Sequence, residues 1–247
     1  MKKSKYFILG CLLMALILLI SGTVLGGFSQ LKSTYFDDSI SNSEYAFVGI
    51  KNLDIEVDGC KVNIQEYDGS SIKVISSKSI KIVNENNALM IEDNFNIFNL
   101  NNSNKKITVY IPINYQFNDV DISVDAGDFE AENIYARDIE ISVDAGDFAA
   151  KKITTTNLNV EVDAGKATID LLDCLNSDFD CDVGDIEVMM VGSEADYSYD
   201  VSCDLGSVRI GNYKTDGLSD DYSFSSGMKK ISVNCDASDI DIKMEVQ

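Results

Sequence analysis

The sequence predicts an all-β protein: a single-chain β-solenoid of about 19 residues per coil, preceded by one N-terminal transmembrane helix. Three observations lead there. A motif of period-two alternation interrupted by Asp-small-Gly recurs six times, its first four glycines lie 19 residues apart, and a long uncharged run follows a basic N-terminal tip.

Taken in chain order, residues 1–5 form the tip, with Lys2, Lys3 and Lys5. Residues 6–25 carry no charge; as a helix they would span roughly 30 Å, the thickness of a bilayer's hydrocarbon core. By the positive-inside rule the lysines stay in the cytoplasm and the remainder lies outside. A cleaved signal peptide is the competing reading, because Ser21, Gly22, Gly26 and Gly27 are small. A lipoprotein signal ending at Cys11 fails on position, since most of the apolar run follows that cysteine. Residues 26–39 read as a linker.

From residue 40 to 247 the pattern is that of strands. Leu53 to Ile64 resembles one repeat with Gly59-Cys60 at its corner, and the stretches 72–75, 80–83 and 107–111 read as further strands, the last ended by Pro112. Residues 94–104 hold six asparagines and read as a loop folded over an open end of the stack. Regular coils begin at about residue 119. Ile122-Ser-Val-Asp-Ala-Gly-Asp-Phe129 recurs from Ile141, Val160 and Phe179, with glycines at 127, 146, 165 and 184. A fifth copy places Gly206 after a spacing of 22, and a sixth puts Ser238 in the glycine slot 32 residues later. Alternation of two means half-buried strand. The glycine marks a corner between two short strands, the small residue before it is expected inside that corner, and the two insertions are expected to bulge outward as loops.

These features together resemble the putative-adhesin, β-strand-repeat family of bacterial cell-envelope proteins: a short N-terminal membrane helix, a lead strand ending Tyr110-Ile111-Pro112, then repeated strand-Asp-small-Gly-Asp-strand units. The resemblance covers roughly residues 45 to 245. It implies a β-solenoid on the outer face of a cell, connected with adhesion or envelope-stress regulation, and it brings no catalytic residues with it.

Stacking would turn equivalent positions into ladders. Val124, Val143, Val162, Cys181, Cys203 and Cys235 point inward by the alternation, so the cysteines stand in for valine; alternatively, neighbouring coils would bring Cys181 and Cys203 within disulfide range. Cys60 and Cys174 are a second conceivable pair. Asp125, Asp144, Asp163, Asp182, Asp204 and Asp236 form an acidic ladder, with Asp58 beside it and a second row at Asp128, Asp147, Asp185 and Asp239. Each carboxylate is expected to bond its own corner backbone, as Asx turns do. Ca²⁺ held between coils is the alternative, although the calcium β-roll spacing is absent. Tyr197, Tyr199, Tyr213, Tyr222 and Phe224 cluster around the C-terminal insertions, as core or cap residues or as a sugar-binding surface.

Composition narrows function further. The chain has 20 basic and 41 acidic residues, net −21, and no histidine or tryptophan. Three of the 20 basic residues precede residue 6 and every acid follows residue 36, which leaves 17 basic against 41 acidic residues, or −24, beyond the tip. Such a field opposes nucleic acid and anionic lipid surfaces. Without imidazole there is no Ser-His-Asp or Cys-His group. The expectation is therefore no enzyme, no cofactor and no nucleic-acid partner, but a cell-membrane protein, single-pass with its N-terminus cytoplasmic, acting as a binding, adhesion or structural module toward an envelope polymer or another envelope protein. A sensor or regulator accessory to envelope-stress signalling is the alternative, and a carboxylate-based glycan-active enzyme the third.

Overall fold

A computed structural model of the chain describes residues 43–76, 80–93 and 106–245. The basic tip, the 6–25 segment, the 26–39 linker and the asparagine-rich loop lie outside the described residues. Among the described residues no helix is long and apolar enough to cross a membrane. Contacts divide the chain into Met1–Ile40 and Ser41–Gln247, and every element below belongs to the second unit.

The fold is all-β. Ahead of the regular repeats run β1 (Ser43–Phe47), β2 (Asn52–Val57), β3 (Lys61–Tyr67), β4 (Ile72–Ser76), β5 (Ile80–Glu85), β6 (Ala88–Asp93) and β7 (Lys106–Pro112). The repeats form β8 (Gln116–Val124), β9 (Asp128–Val143), β10 (Asp147–Val162), β11 (Lys166–Cys181) and β12 (Asp185–Val191). A 3-10 turn, Glu194–Asp196, precedes β13 (Tyr197–Ile210), β14 (Tyr213–Phe224), β15 (Lys229–Cys235) and β16 (Asp239–Glu245).

Register explains why the 19-residue period folds as it does. Asp147 lies beside Asp128 and Lys166 beside Asp147, so each repeat pairs in parallel with its neighbour at an offset of one period. Each layer supplies a leading strand before its Asp-small-Gly corner and a trailing strand after it. The second bend, near Ala136, Thr155 and Cys174, interrupts no strand, which is why β9, β10 and β11 each run for 16 residues across both sheets. Thr155 Oγ1 donates to the Arg137 and Asn157 carbonyls at 2.9 Å, and Cys174 Sγ takes the same role toward Asn176 at 2.9 Å. Residues of the inward rows, such as Ile122, Val124, Phe129, Val143, Phe148, Val162 and Phe179, are buried between the sheets. Phe129 and Phe148 stack at 5.4 Å, and each such side chain contributes about 1.5–3 kcal/mol by leaving water.

The corner differs from the expectation. The small residue before the glycine points outward, as Val183 at 66% and Leu205 at 55% exposure show, and the glycine faces the layer beneath. A Cβ on Gly146 would meet the Gly127 carbonyl oxygen at 2.3 Å, and one on Gly165 the Gly146 oxygen at 2.2 Å. Corner backbones bond to one another: Asp144 N to Val124 O, Ala145 N to Asp125 O, Asp147 N to Gly127 O, and likewise onward. That ladder pulls successive corners too close for a side chain.

The ends also depart from simple chain-order stacking. Layer β15–β16 inserts between β11–β12 and β13: Cys181 pairs with Cys235, and Cys235 with Cys203. At the other end β6 and β7 lie outside β2 and β3, although they follow them in sequence. The insertion between β13 and β15 is no bulging loop. It forms β14, antiparallel along β13. Antiparallel strands cover both ends, with β4 on β7, β1 on β4, β5 on β6 and β14 on β13, so neither end presents a bare parallel edge. Inside the β14 end, Tyr213 stacks on Tyr222 at 4.2 Å, and Tyr199 reaches Phe224 at 4.9 Å. Tyr197 and Tyr199 are buried, Tyr213 and Phe224 pack against the end of the core, and Tyr222 remains exposed.

Candidate functional site

The six corner aspartates Asp125, Asp144, Asp163, Asp182, Asp236 and Asp204 stack in that spatial order along one edge. Their peptide groups, not their carboxylates, carry the corner bonds, so the Asx-turn reading is replaced by the backbone ladder. Asp125 receives a hydroxyl bond from Ser123 at 3.5 Å. Burial and the neighbouring charges of Asp144 and Asp58 push its carboxyl above the ordinary range. Among the described residues no group of three or more His, Cys, Asp or Glu is arranged to hold a metal ion. The second acidic row is diluted in space, running Lys61, Asp128, Asp147, Lys166, Asp185, Asp239 and Ser207.

Both sheets carry ion pairs, but not along every row. On the trailing sheet Lys61 pairs with Glu130 at 2.6 Å, Lys166 with Glu187 at 2.7 Å, Lys151 with Glu132 at 3.5 Å and Lys243 with Asp241 at 3.1 Å, and on the leading sheet Lys81 pairs with Glu92 at 2.8 Å. Glu130 is correspondingly held below its ordinary range by Lys61. The leading sheet presents outward rows of Asp, Glu, Ser and Asn. One row runs Asp54, Asp121, Glu140, Asn159, Asp178, Ser232 and Asp200. Among the described residues no lysine or arginine pairs with Asp54, Asp121, Glu140, Glu161 or Asp178. The carboxyls pushed upward here show the effect: Asp54 by burial and then Asp121 and Glu92, Glu56 by burial and then Asp58 and Glu92, Glu161 by burial and then Asp163 and Asp180.

Between two of these rows lies a shallow groove, open to solvent along its length. One stretch of about 360 Å³ runs over Asp119, Asp121, Asp138 and Glu140 to Asn157 and Leu158. A second, of about 600 Å³, continues from those same two residues over Asn176, Asp178, Lys230, Ser232 and Asp200 to Ser223 and Phe224. Together they cross β8, β9, β10, β11, β15, β13 and β14, roughly 29 Å at the 4.8 Å strand spacing. A side-chain ladder lines one wall: Arg137 reaches Asp119 at 3.1 Å and Asp138 at 2.6 Å, Asn157 donates to Asp138 at 2.5 Å, and Asn176 to Asn157 at 2.9 Å. The sequence reading singled out the corner aspartates and passed over this wall. Its signal was present in the outward alternate positions of each repeat, six residues before the corner aspartate.

The cysteines lie in two regions. Cys181, Cys203 and Cys235 are buried in the inward valine row. Cys235 stands between the other two, so Cys181 and Cys203 are not neighbours. Cys60 occupies a glycine slot in the corner column, whereas Cys174 lies at the opposite bend, which rules out their pairing. Burial pushes the Cys174 thiol up to about 11.

One solved structure shares this fold. The chain is similar to a putative cell adhesion protein from Clostridium sporogenes ATCC 15579, with 16% identity, a TM-score of 0.51, and coverage of 83% of this chain and 99% of that one. It also aligns with a putative adhesin from Bacteroides fragilis NCTC 9343 at 10% identity, TM-score 0.36, covering 85% and 98% of the two chains. A search of the curated proteins finds no match. The family model described as Toastrack DUF4097 matches residues 50–189, more than half of the chain and the four corners spaced 19 residues apart, and the protein belongs to that family.

Proposed function

We propose that the protein is a membrane-anchored, extracytoplasmic β-solenoid that serves as a binding, adhesion or structural module of a bacterial cell envelope. The groove along the leading sheet, lined by the unpaired carboxylates Asp121, Glu140 and Asp178, carries this reading. A surface about 29 Å long with a 4.8 Å repeat suits an elongated partner better than a small molecule. Hydrogen-bonding amides and hydroxyls along it suit an envelope polymer or an extended segment of another envelope protein. Unmatched carboxylates favour cationic groups on that partner, or anionic groups bridged by cations. The uncharged run 6–25 behind three lysines supports an anchor with the repeats outside, and the adhesion description of the Clostridium structure supports the same role.

Two measurements test it. Protease added to intact cells should cut the repeat domain while alkaline extraction leaves the chain in the membrane; protection from protease would contradict the placement. Envelope fractions should bind the full-length chain, and D121N/E140Q/D178N should weaken binding more than tenfold. Equal weakening by K151A/E187Q on the trailing sheet would contradict the assigned face.

A further inference from the structure

We propose that Cys203 and Cys235 are a disulfide-forming pair that fastens the inserted β15–β16 layer into the stack. The two residues are register partners on β13 and β15, 2% and 0% exposed, with Sγ atoms 3.0 Å apart. Parallel neighbours lie about 4.8 Å apart, inside the 4.4–6.8 Å Cα range a disulfide spans.

Cys235 also has Cys181 as a register partner, on β11. The two sides are not equivalent. Ser238, in the glycine slot, donates its Oγ to the Cys181 carbonyl at 2.8 Å and stands 3.3 Å from the Cys235 sulfur, which occupies the Cys181 side of the column. On the Cys203 side the two sulfurs are in direct contact at 3.0 Å.

The location gives the bond a purpose. β15 and β16 follow β13 and β14 in sequence, yet they sit between β11–β12 and β13. A layer inserted there can undock only by parting from β11 and β12 on one side and β13 on the other. A bond from Cys235 to Cys203 ties that segment to the layer that β14 already covers.

Oxidation removes one proton from each thiol and two electrons from the pair as one S–S bond forms. The acceptor is a disulfide, of a small thiol or a thiol oxidoreductase, which is reduced to two thiols. Because both sulfurs are buried, exchange must precede docking: Cys235 takes up the acceptor's disulfide while β15 is still outside, and Cys203 expels the remaining thiol as the layer closes. Only the site where the acceptor is met rests on the export reading; the pairing does not.

The test refolds the full-length chain in detergent with mixtures of oxidised and reduced glutathione, then alkylates and weighs it. Four of the six cysteines should remain alkylatable, and cleavage at acidic residues should yield one linked pair containing Cys203 and Cys235. The oxidised form should melt about 5–10 °C higher, a gain lost on adding dithiothreitol. Val fills this column in other layers, so C203V and C235V should fold and abolish the link, while C181V should leave it intact. Six alkylated cysteines at every glutathione ratio, a link from Cys235 to Cys181, or unchanged oxidation of C203V would overturn the proposal.

Discussion

At the scale of single residues, the corner glycines are constrained by space and not by dihedral angle. Gly146 carries no positive φ; its requirement comes from the Gly127 carbonyl, 2.3 Å from where a Cβ would be. Gly146→Ala should therefore cost about 2–4 kcal/mol in chemical denaturation, because backbone cannot yield as a side chain can. Ala145→Ser, one position earlier and pointing outward, should stay within about 0.5 kcal/mol. Equal effects would show that the corners are not stacked so closely. The carboxylates make a second claim at this scale. Asp54, Glu56, Asp125 and Glu161 have folded-state values above their ordinary ones, so the folded protein binds protons more readily than the unfolded chain. Stability from these groups is gained as pH falls through their raised values and is lost again as pH rises. Glu130 and Asp138, held low by Lys61 and by Asn157 with Arg137, act oppositely and only at lower pH. Calorimetry should accordingly show Tm rising as pH falls from 7 toward 5, and the rise should shrink in high salt, which screens the repulsion among exposed acids.

At the scale of elements, most strands could be read from alternation, and the order in which they stack could not. Period two placed β2, β3, β4, β5, β7 and the regular repeats, because each inward position carries an apolar residue whose burial the pattern records. Stack order leaves no such mark. Cys181 could pair with Cys203 or with Cys235 at identical register, since both copies carry the same inward row. The hairpins did have signals. Asn86-Asn87, with φ of 51° and 66°, turns β5 into β6, and Gly211-Asn212, with Gly211 at 56°, turns β13 into β14. Two residues of this kind between alternating runs announce a tight antiparallel turn. The physical consequence of the insertion can be measured by amide exchange. Although β15 lies near the C-terminus, its amides should be as protected as those of β10, because both have strands on either side. Rapid exchange of β15 with a protected β13 would place that strand at an edge.

At the scale of the whole molecule, the net charge of −21 resolves into a distribution. Lysines reach several acids of the trailing sheet, whereas among the described residues none reaches Asp121, Glu140 or Asp178 on the leading sheet, so unpaired carboxylates line the groove. Composition alone shows the excess of acid, but it could not separate the sheets, because leading and trailing strands alternate within each 19-residue period. The groove's continuity depends on β15 lying between β11 and β13, since Lys230 and Ser232 bridge Asn176 and Asp178 to Ser198 and Asp200. Removing the last layer should thus break the groove as well as the core. Asp180, Asn234 and Ser202 occupy one outward row in that spatial order, and Asn234 donates to Asp180 at 3.0 Å. Cysteine pairs at these positions, in a chain whose native cysteines are replaced, report the order directly under mild oxidation. Stacking as described requires that D180C/N234C and S202C/N234C link while D180C/S202C does not; an efficient link between positions 180 and 202 would mean that the layers follow chain order and that the continuous groove does not exist.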